Sequence, residues 1–138
     1  MSFWLVKTEP GEFAWDDLLR AGREPWDGVR NRAAQNHIAA MRPGDLALFY
    51  HTGKERQAVG ICRVVSAPYP EPGQDDPLTV VVDVEPVRAL PRPVPLAEIK
   101  ADPAFADWAL VRQARLSVMP VPEPHWRRVL AMAGDSGA

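Results

Sequence analysis

The sequence of 138 residues has little cysteine and histidine, the residues that form disulfides and many metal sites. It holds one cysteine, Cys62, which cannot form an internal disulfide, so we expect a reducing compartment. No apolar stretch approaches the ~18 residues that span a membrane, and the first residues lack a signal-peptide pattern. We therefore expect a cytoplasmic protein without a membrane partner.

Motifs for metal binding, phosphate binding and catalysis are also missing. The three histidines, His37, His51 and His125, do not have the spacing of a zinc site, and the glycines form no phosphate-binding loop. The elbow motif of serine hydrolases is absent. We predict no metal and no cofactor. One catalytic alternative stays open, a small hydrolytic enzyme with Ser117 as nucleophile, His51 as base and Glu9 in support.

The net charge of −2 and the pI of about 5.9 argue against a protein that coats nucleic acid by charge alone. The charge is uneven, however. Segment 20–42 holds five arginines against Glu24 and Asp27, whereas all charged residues of segment 71–86 are acidic. Thirteen arginines against three lysines, with abundant alanine and proline, indicate a bacterial genome bias; in a eukaryote we would expect a nuclear location.

Apolar periodicity predicts strands that cluster along the chain with short helices between them. Gly60 interrupts one predicted strand and indicates a bulge or a close approach of backbone. Pro86 is expected to end another strand, and Pro68–Pro77 to form a loop. The predicted strands are 3–8, 45–51, 58–66, 78–86 and 115–121, and the predicted helices are 13–20, 34–41, one starting at Asp102, and 122–133.

This order is not the regular alternation that gives a parallel doubly wound sheet. Clustered strands with glycine and proline between them predict an α+β fold around a partly closed barrel. The length fits one domain, which we place at 1–134, with a frayed tail at 135–138.

The stretch Trp26–Asn31, continuing to Asn36, combines an aromatic ring, an acid, a glycine and several donor side chains just before a predicted helix. One interpretation is structural: Trp26 covers an edge of the core, Gly28 turns the chain and Asn31 caps the helix. The other is functional, because binding groups concentrate in loops held by a rigid scaffold.

Aromatic rings together with amide, hydroxyl and guanidinium donors can stack on a nucleobase and hydrogen bond to its edge. A structural role remains the alternative for each such residue. If strand 45–51 is regular, Tyr50 and His51 cannot both face one pocket. The candidates are Trp26, Arg30, Asn31, Asn36, Tyr50, His51, Arg115 and Ser117.

Several ordered blocks recur along nearly the whole chain, from residue 3 to about residue 133: Trp4–Pro10, Trp15–Leu18, Trp26–Asn31, Gly44–Asp45, Phe49–His51 and Arg115–Val118. Together these blocks resemble the EVE domain family. The resemblance implies a PUA-like fold, a curved β pseudo-barrel flanked by short helices, which YTH and ASCH domains share. It also implies a non-catalytic module that accommodates a modified base. Modified cytosine in DNA is the leading candidate, and an RNA-modification reader is the alternative.

Carried over by position, the resemblance implies one base-binding pocket with Lys7 and Glu9 at its mouth and Arg32 on the nucleic-acid backbone. The chain departs from the family pattern at Arg32, Ala33 and Gln35, which leaves the choice between DNA and RNA open. We expect a monomer whose partner is nucleic acid. The implied pocket residues are Trp26, Arg30, Asn31, Asn36, Tyr50, His51, Arg115, Leu116 and Ser117.

Overall fold

A curved sheet of six strands, flanked by short helices, organises residues 1–136, the part of the chain that the structure describes. The structure is a computed structural model. The strands are β1 (Phe3–Thr8), β2 (Glu24–Pro25), β3 (Leu46–His51), β4 (Gln57–Val64), β5 (Tyr69–Pro70), β6 (Val80–Val81), β7 (Asp83–Pro95) and β8 (Val118–Pro120). The helices are α1 (Trp15–Ala21), α2 (Arg32–Ala40), α3 (Leu96–Ala101), α4 (Ala109–Arg112) and α5 (Glu123–Ala133), with a 3-10 turn at Pro103–Phe105.

The sheet is mixed, as the clustered strand signals predicted. Its order is β2-β7-β4-β3-β1-β8, and β1 and β3 run parallel while the other neighbours are antiparallel. β5 and β6 form a separate two-stranded ribbon. The predicted α+β class is therefore confirmed, and the parallel pair is possible because α1 and α2 lie between β1 and β3 along the chain.

One apolar cluster fills the space between the sheet and its helices. Helix α2 packs against β6 and β8, and α5 packs against β7. The predicted apolar stripe of the final helix is confirmed, because Trp126, Val129, Leu130 and Ala133 are all buried. The Trp126 ring stacks on Phe3 with 4.4 Å between centroids, which fixes α5 to the start of β1. None of the helices in residues 1–136 is long and apolar enough to cross a membrane.

Strand β7 does not end at Pro86, so that prediction is wrong. It continues to Pro95 through three more prolines. The register between β4 and β7 shifts between the pairs Gly60–Ala89 and Ala58–Val94, and Pro91 and Pro93 lie in this irregular part of β7. Pro86 lies next to another register shift. A proline lacks the N–H that a ladder needs, and strands tolerate it at such irregularities.

Two predictions near the end of the chain also need correction. The last strand covers only Val118–Pro120 rather than 115–121, because the preceding segment turns with the Leu116 N–H donating to the Gln113 carbonyl at 3.0 Å. The predicted fraying does not hold at Asp135, whose carboxylate accepts from the Arg88 guanidinium at 2.8 Å through both oxygens. Residues 137 and 138 of the predicted tail lie outside the described residues.

Gly60 produces both features predicted for it. The pairing of β4 shifts register between Ala58 and Gly60, and the Trp15 ring lies directly on the Gly60 backbone. A Cβ atom at Gly60 would lie 2.6 Å from that ring. Trp15 also packs edge-to-face on Phe49, with centroids 5.3 Å apart. The glycine therefore lets α1 approach the centre of the sheet.

We predict that Gly60→Ala lowers the free energy of unfolding by about 1–3 kcal/mol, because the added methyl group overpacks the Trp15 contact. Chemical denaturation of the variant and the parent measures the change. Gly11→Ala is the matched control, since its Cβ would meet only the flexible Glu9 side chain at 3.5 Å. Equal stability of the two variants would contradict the packing argument.

Candidate functional site

A cleft of about 460 Å³ opens between the end of β1 and the loop 26–30. It brings together five residues that the sequence analysis assigned to the pocket or its mouth: Lys7, Glu9, Trp26, Arg30 and Ser117. The remaining lining residues are Thr8, Glu12, Phe13, Glu24, Pro25, Asp27, Gly28 and Val29.

Glu71 holds the loop 26–30 in place. Its buried carboxylate accepts from Arg30 Nη1 at 3.1 Å, from Arg30 Nη2 at 2.8 Å and from the Gly28 N–H at 3.2 Å. The hydrogen bonds from Arg30 hold the pKa of Glu71 below its usual value. Gly28 has a φ of +76°, which favours glycine. The sequence analysis placed Glu71 only in an acidic segment and missed this role.

Gln35 fixes the other side of the same loop. Its side-chain amide donates to the carbonyls of Val29 at 2.8 Å and Val80 at 3.1 Å, and its oxygen accepts from the Val80 N–H at 2.8 Å. The Trp26 N–H donates to the Val82 carbonyl at 2.8 Å. The loop is therefore tied to the chain segment 80–82 at both ends, and its geometry is set before any ligand arrives.

Two aromatic rings form the apolar part of the cleft. Trp26 is 6% exposed and contacts Phe49 edge-to-face at 5.5 Å between centroids. Phe13 is half-buried and meets Trp26 at 6.2 Å, also edge-to-face. Trp26 thus belongs to the core and also lines the cleft, so the structural interpretation holds and the functional one stays a prediction. Phe13 was missed; its one sequence signal is an aromatic residue just after the turn at Pro10–Gly11.

The charged groups of the cleft are mostly acidic. Arg30 is paired with Glu71, which leaves Lys7 as the cation without an acidic partner among the described residues that line the cleft. Lys7 Nζ donates to the Ala114 carbonyl at 3.1 Å, and burial lowers its pKa. The cleft lining also holds four acidic residues: Glu9, Glu12, Glu24 and Asp27.

Tyr50 and His51 do not line the cleft, in contrast to the prediction. Tyr50 is 2% exposed and lies beneath Lys7, whose Nζ is 5.7 Å from the ring centroid, and burial raises the pKa of Tyr50 to about 12. His51 Nε2 accepts from the Trp15 N–H at 3.0 Å, so Nδ1 carries the hydrogen that Glu55 accepts at 2.9 Å. His51 therefore caps the start of α1 and has no free nitrogen to act as a base for Ser117.

The other predicted residues line two smaller grooves beside the cleft. Asn31 caps α2, accepting from the Ala34 N–H at 3.0 Å, and it shares a groove of about 310 Å³ with Arg115 and Leu116. Asn36 and Arg32 line a second groove of about 330 Å³, which also reaches Arg30. Apart from Tyr50 and His51, the predicted pocket residues are thus divided between three depressions around the start of α2.

Arg32 and Arg115 are exposed cations that line these grooves. Neither forms an ion pair with any residue in 1–136. Arg32 is the first residue of α2, where the helix dipole disfavours a positive charge, and no acidic residue occupies that first turn. Two cations without an ion pair among residues 1–136 therefore lie in the grooves that border the acidic cleft.

The comparison with known proteins identifies the family. The protein-family model described as "EVE domain" matches residues 2–132 of this chain. The chain belongs to the EVE domain family. It is 31% identical to human thymocyte nuclear protein 1 over 95% of this chain and 73% of that protein. The resemblance of the sequence blocks to this family is thereby confirmed.

Solved structures agree with this assignment. A protein of Rhodopseudomonas palustris shares 41% identity and a TM-score of 0.92, over 97% of this chain and 94% of that one. Human THYN1, in complex with DNA containing 5-methylcytosine, shares 30% identity and a TM-score of 0.89 over 99% of each chain. The YTH domain of Zygosaccharomyces rouxii MRB1, at 14% identity and a TM-score of 0.60, shares the fold alone, which confirms the PUA-like prediction.

We predict that Glu71→Gln lowers the melting temperature at neutral pH, because the amide cannot form the paired charge interaction with Arg30. The pKa of Glu71 is depressed in the folded protein, so its stabilisation is present above the usual value of 4.5 and is lost as the pH falls through the lower folded value. The difference in melting temperature from the parent should therefore shrink below about pH 4.5.

Glu123→Gln serves as the control for this measurement, since Glu123 is exposed and its ion pair is with the exposed Arg127 at 3.5 Å. Its melting temperature should follow that of the parent at every pH. A Glu71→Gln variant that also follows the parent would show that the Arg30 pair does not hold the loop.

Proposed function

We propose that this chain is a non-catalytic module that binds a modified nucleobase in the cleft at the loop 26–30. Modified cytosine in DNA is the leading candidate for this base. The observation that carries the proposal is the cleft itself, which has aromatic side chains in its lining and a loop held in place by Glu71 and Gln35. The similarity to human THYN1, which covers 99% of the chain, supports the proposal, because the structure of THYN1 contains DNA with 5-methylcytosine.

The cleft suits a single base removed from its stack. Its volume of about 460 Å³ lies within the range of small-ligand pockets. Proteins that read one base extrude it and hold it between apolar or aromatic side chains while polar groups contact its edge. Phe13 supplies a partly exposed ring, and Trp26 supports it from the core.

The sugar–phosphate backbone is expected outside the cleft. Carboxylates at the lining repel phosphate, whereas Arg32 and Arg115, in the adjoining grooves, form no ion pair within residues 1–136. Contacts to phosphate position a nucleic acid, while contacts to base edges specify it. We therefore assign Arg32 and Arg115 to the backbone and the cleft to the base. RNA is the alternative ligand, and it enters the experiment below.

The non-catalytic assignment draws support from His51, because both of its ring nitrogens are already hydrogen bonded within the protein.

We further propose a monomer that acts in the cytoplasm. The one cysteine, Cys62, cannot form an internal disulfide, which fits the reducing cytoplasm; it is fully buried, and burial raises the pKa of its thiol to about 12.

We predict that Phe13→Ala weakens binding of a single-stranded DNA that contains one 5-methylcytosine by about tenfold to a hundredfold, because one stacked ring is lost. Titration by fluorescence anisotropy, well below the melting temperature of the variant, measures the affinity. The unmodified DNA and the RNA of the same sequence are titrated in parallel.

Leu19→Ala is the control, since Leu19 is 52% exposed on α1 and does not line the cleft. Unchanged affinity of a folded Phe13→Ala variant would contradict the stacking role, and tighter binding of the RNA would favour an RNA reader. Ester or nucleoside hydrolysis by the parent that disappears in Ser117→Ala would overturn the non-catalytic assignment.

A further inference from the structure

Glu24 differs from the other carboxylates of the cleft. The Glu9 carboxylate accepts from the Gly11 N–H at 3.1 Å, and Glu12 and Asp27 are exposed to solvent. Glu24 is half-buried, and its side chain has no hydrogen-bond donor among the described residues. A carboxylate partly removed from water without a donor is unfavourable, so a ligand that brings a donor to it binds more favourably.

The backbone of Glu24 is held by the sheet. It lies on β2, opposite Val84 of β7, and the Trp26 N–H two residues later donates to the Val82 carbonyl at 2.8 Å. Sites built on strands hold their contacts more accurately than sites built on loops. The Glu24 side chain therefore starts from a fixed point beside the aromatic part of the cleft.

No cation of the cleft competes for this carboxylate through an ion pair. Arg30 is held by Glu71, and Lys7 Nζ donates to the Ala114 carbonyl. Burial, together with the charge of Asp27, raises the pKa of Glu24. The cleft thus offers acceptors to its ligand and few donors.

Nucleobases differ in the group that such an acceptor would meet. Cytosine presents an exocyclic amino group, N4, which donates, whereas thymine presents the carbonyl O4 at the same position, which accepts. A carboxylate accepts from the first and repels the second. Asp and Glu side chains are accordingly suited to cytosine N4.

We propose that Glu24 accepts a hydrogen bond from the exocyclic amino group of the bound base, so that the cleft selects a 4-aminopyrimidine over its 4-oxo counterpart. This inference rests on the proposed function, since it requires a base in the cleft. It adds a specificity-determining residue to that site and identifies the base edge that the residue contacts.

Two single-stranded DNAs that carry either 5-methylcytosine or thymine at one position test the proposal. The two bases share the C5 methyl group and differ only along the edge that carries the amino or the oxo group. We expect the parent to prefer 5-methylcytosine by about tenfold or more, as for one good polar base contact. Glu24→Ala should remove most of this preference and leave the melting temperature nearly unchanged.

Glu123→Ala, on the exposed face of α5, is the charge-matched control and should keep the preference of the parent. A folded Glu24→Ala variant with the full preference would overturn the role of Glu24. Equal binding of both DNAs by the parent would overturn the inference and leave the proposed function standing. If the parent binds neither DNA nor the matching RNA, the proposed function fails, and the inference fails with it.

Discussion

The paired hydrogen bonds between Glu71 and Arg30 are the interaction on which the rest of the site depends. They join a loop that follows β5 to a loop that precedes α2, across 41 residues of sequence. Because the same carboxylate also accepts from Gly28, the cleft loop is fixed by the protein itself. A ligand then does not have to order this loop when it binds, which lowers the entropic cost of recognition.

The same pair determines the electrostatic character of the site. With Arg30 neutralised, the cleft keeps a surplus of carboxylates, while Arg32 and Arg115 leave positive charge at its border. This separation explains how a chain with a net charge of −2 can be suited to nucleic acid. In the proposed function, phosphates contact the border rather than the cleft, and an uncharged base with donor groups occupies the cleft.

Local sequence patterns predicted the parts of the fold that local forces control. Alternating and β-branched residues gave the main strands. Gly60 indicated a bulge or a close approach, and the structure has the bulge and a close contact with the Trp15 ring. His51 was misplaced because its partner, the start of α1, is 36 residues away and leaves no local signal. Glu71 was missed for the same reason, since an acidic loop residue becomes a structural one only through its distant arginine. The position of Phe13 in the cleft also depends on contacts between residues that are distant in the sequence, so the sequence alone did not indicate it.

A nuclear magnetic resonance titration tests the central claim, that the base enters the cleft at the loop 26–30, most directly. The chain has five tryptophans, so five indole N–H signals report on separate regions of the molecule. On addition of a single-stranded DNA with one 5-methylcytosine, we predict the largest shifts at the Trp26 indole and the Gly28 amide, with little change at Trp126 in the core. Saturable binding that shifts other residues and leaves Trp26 and Gly28 unmoved would contradict the account.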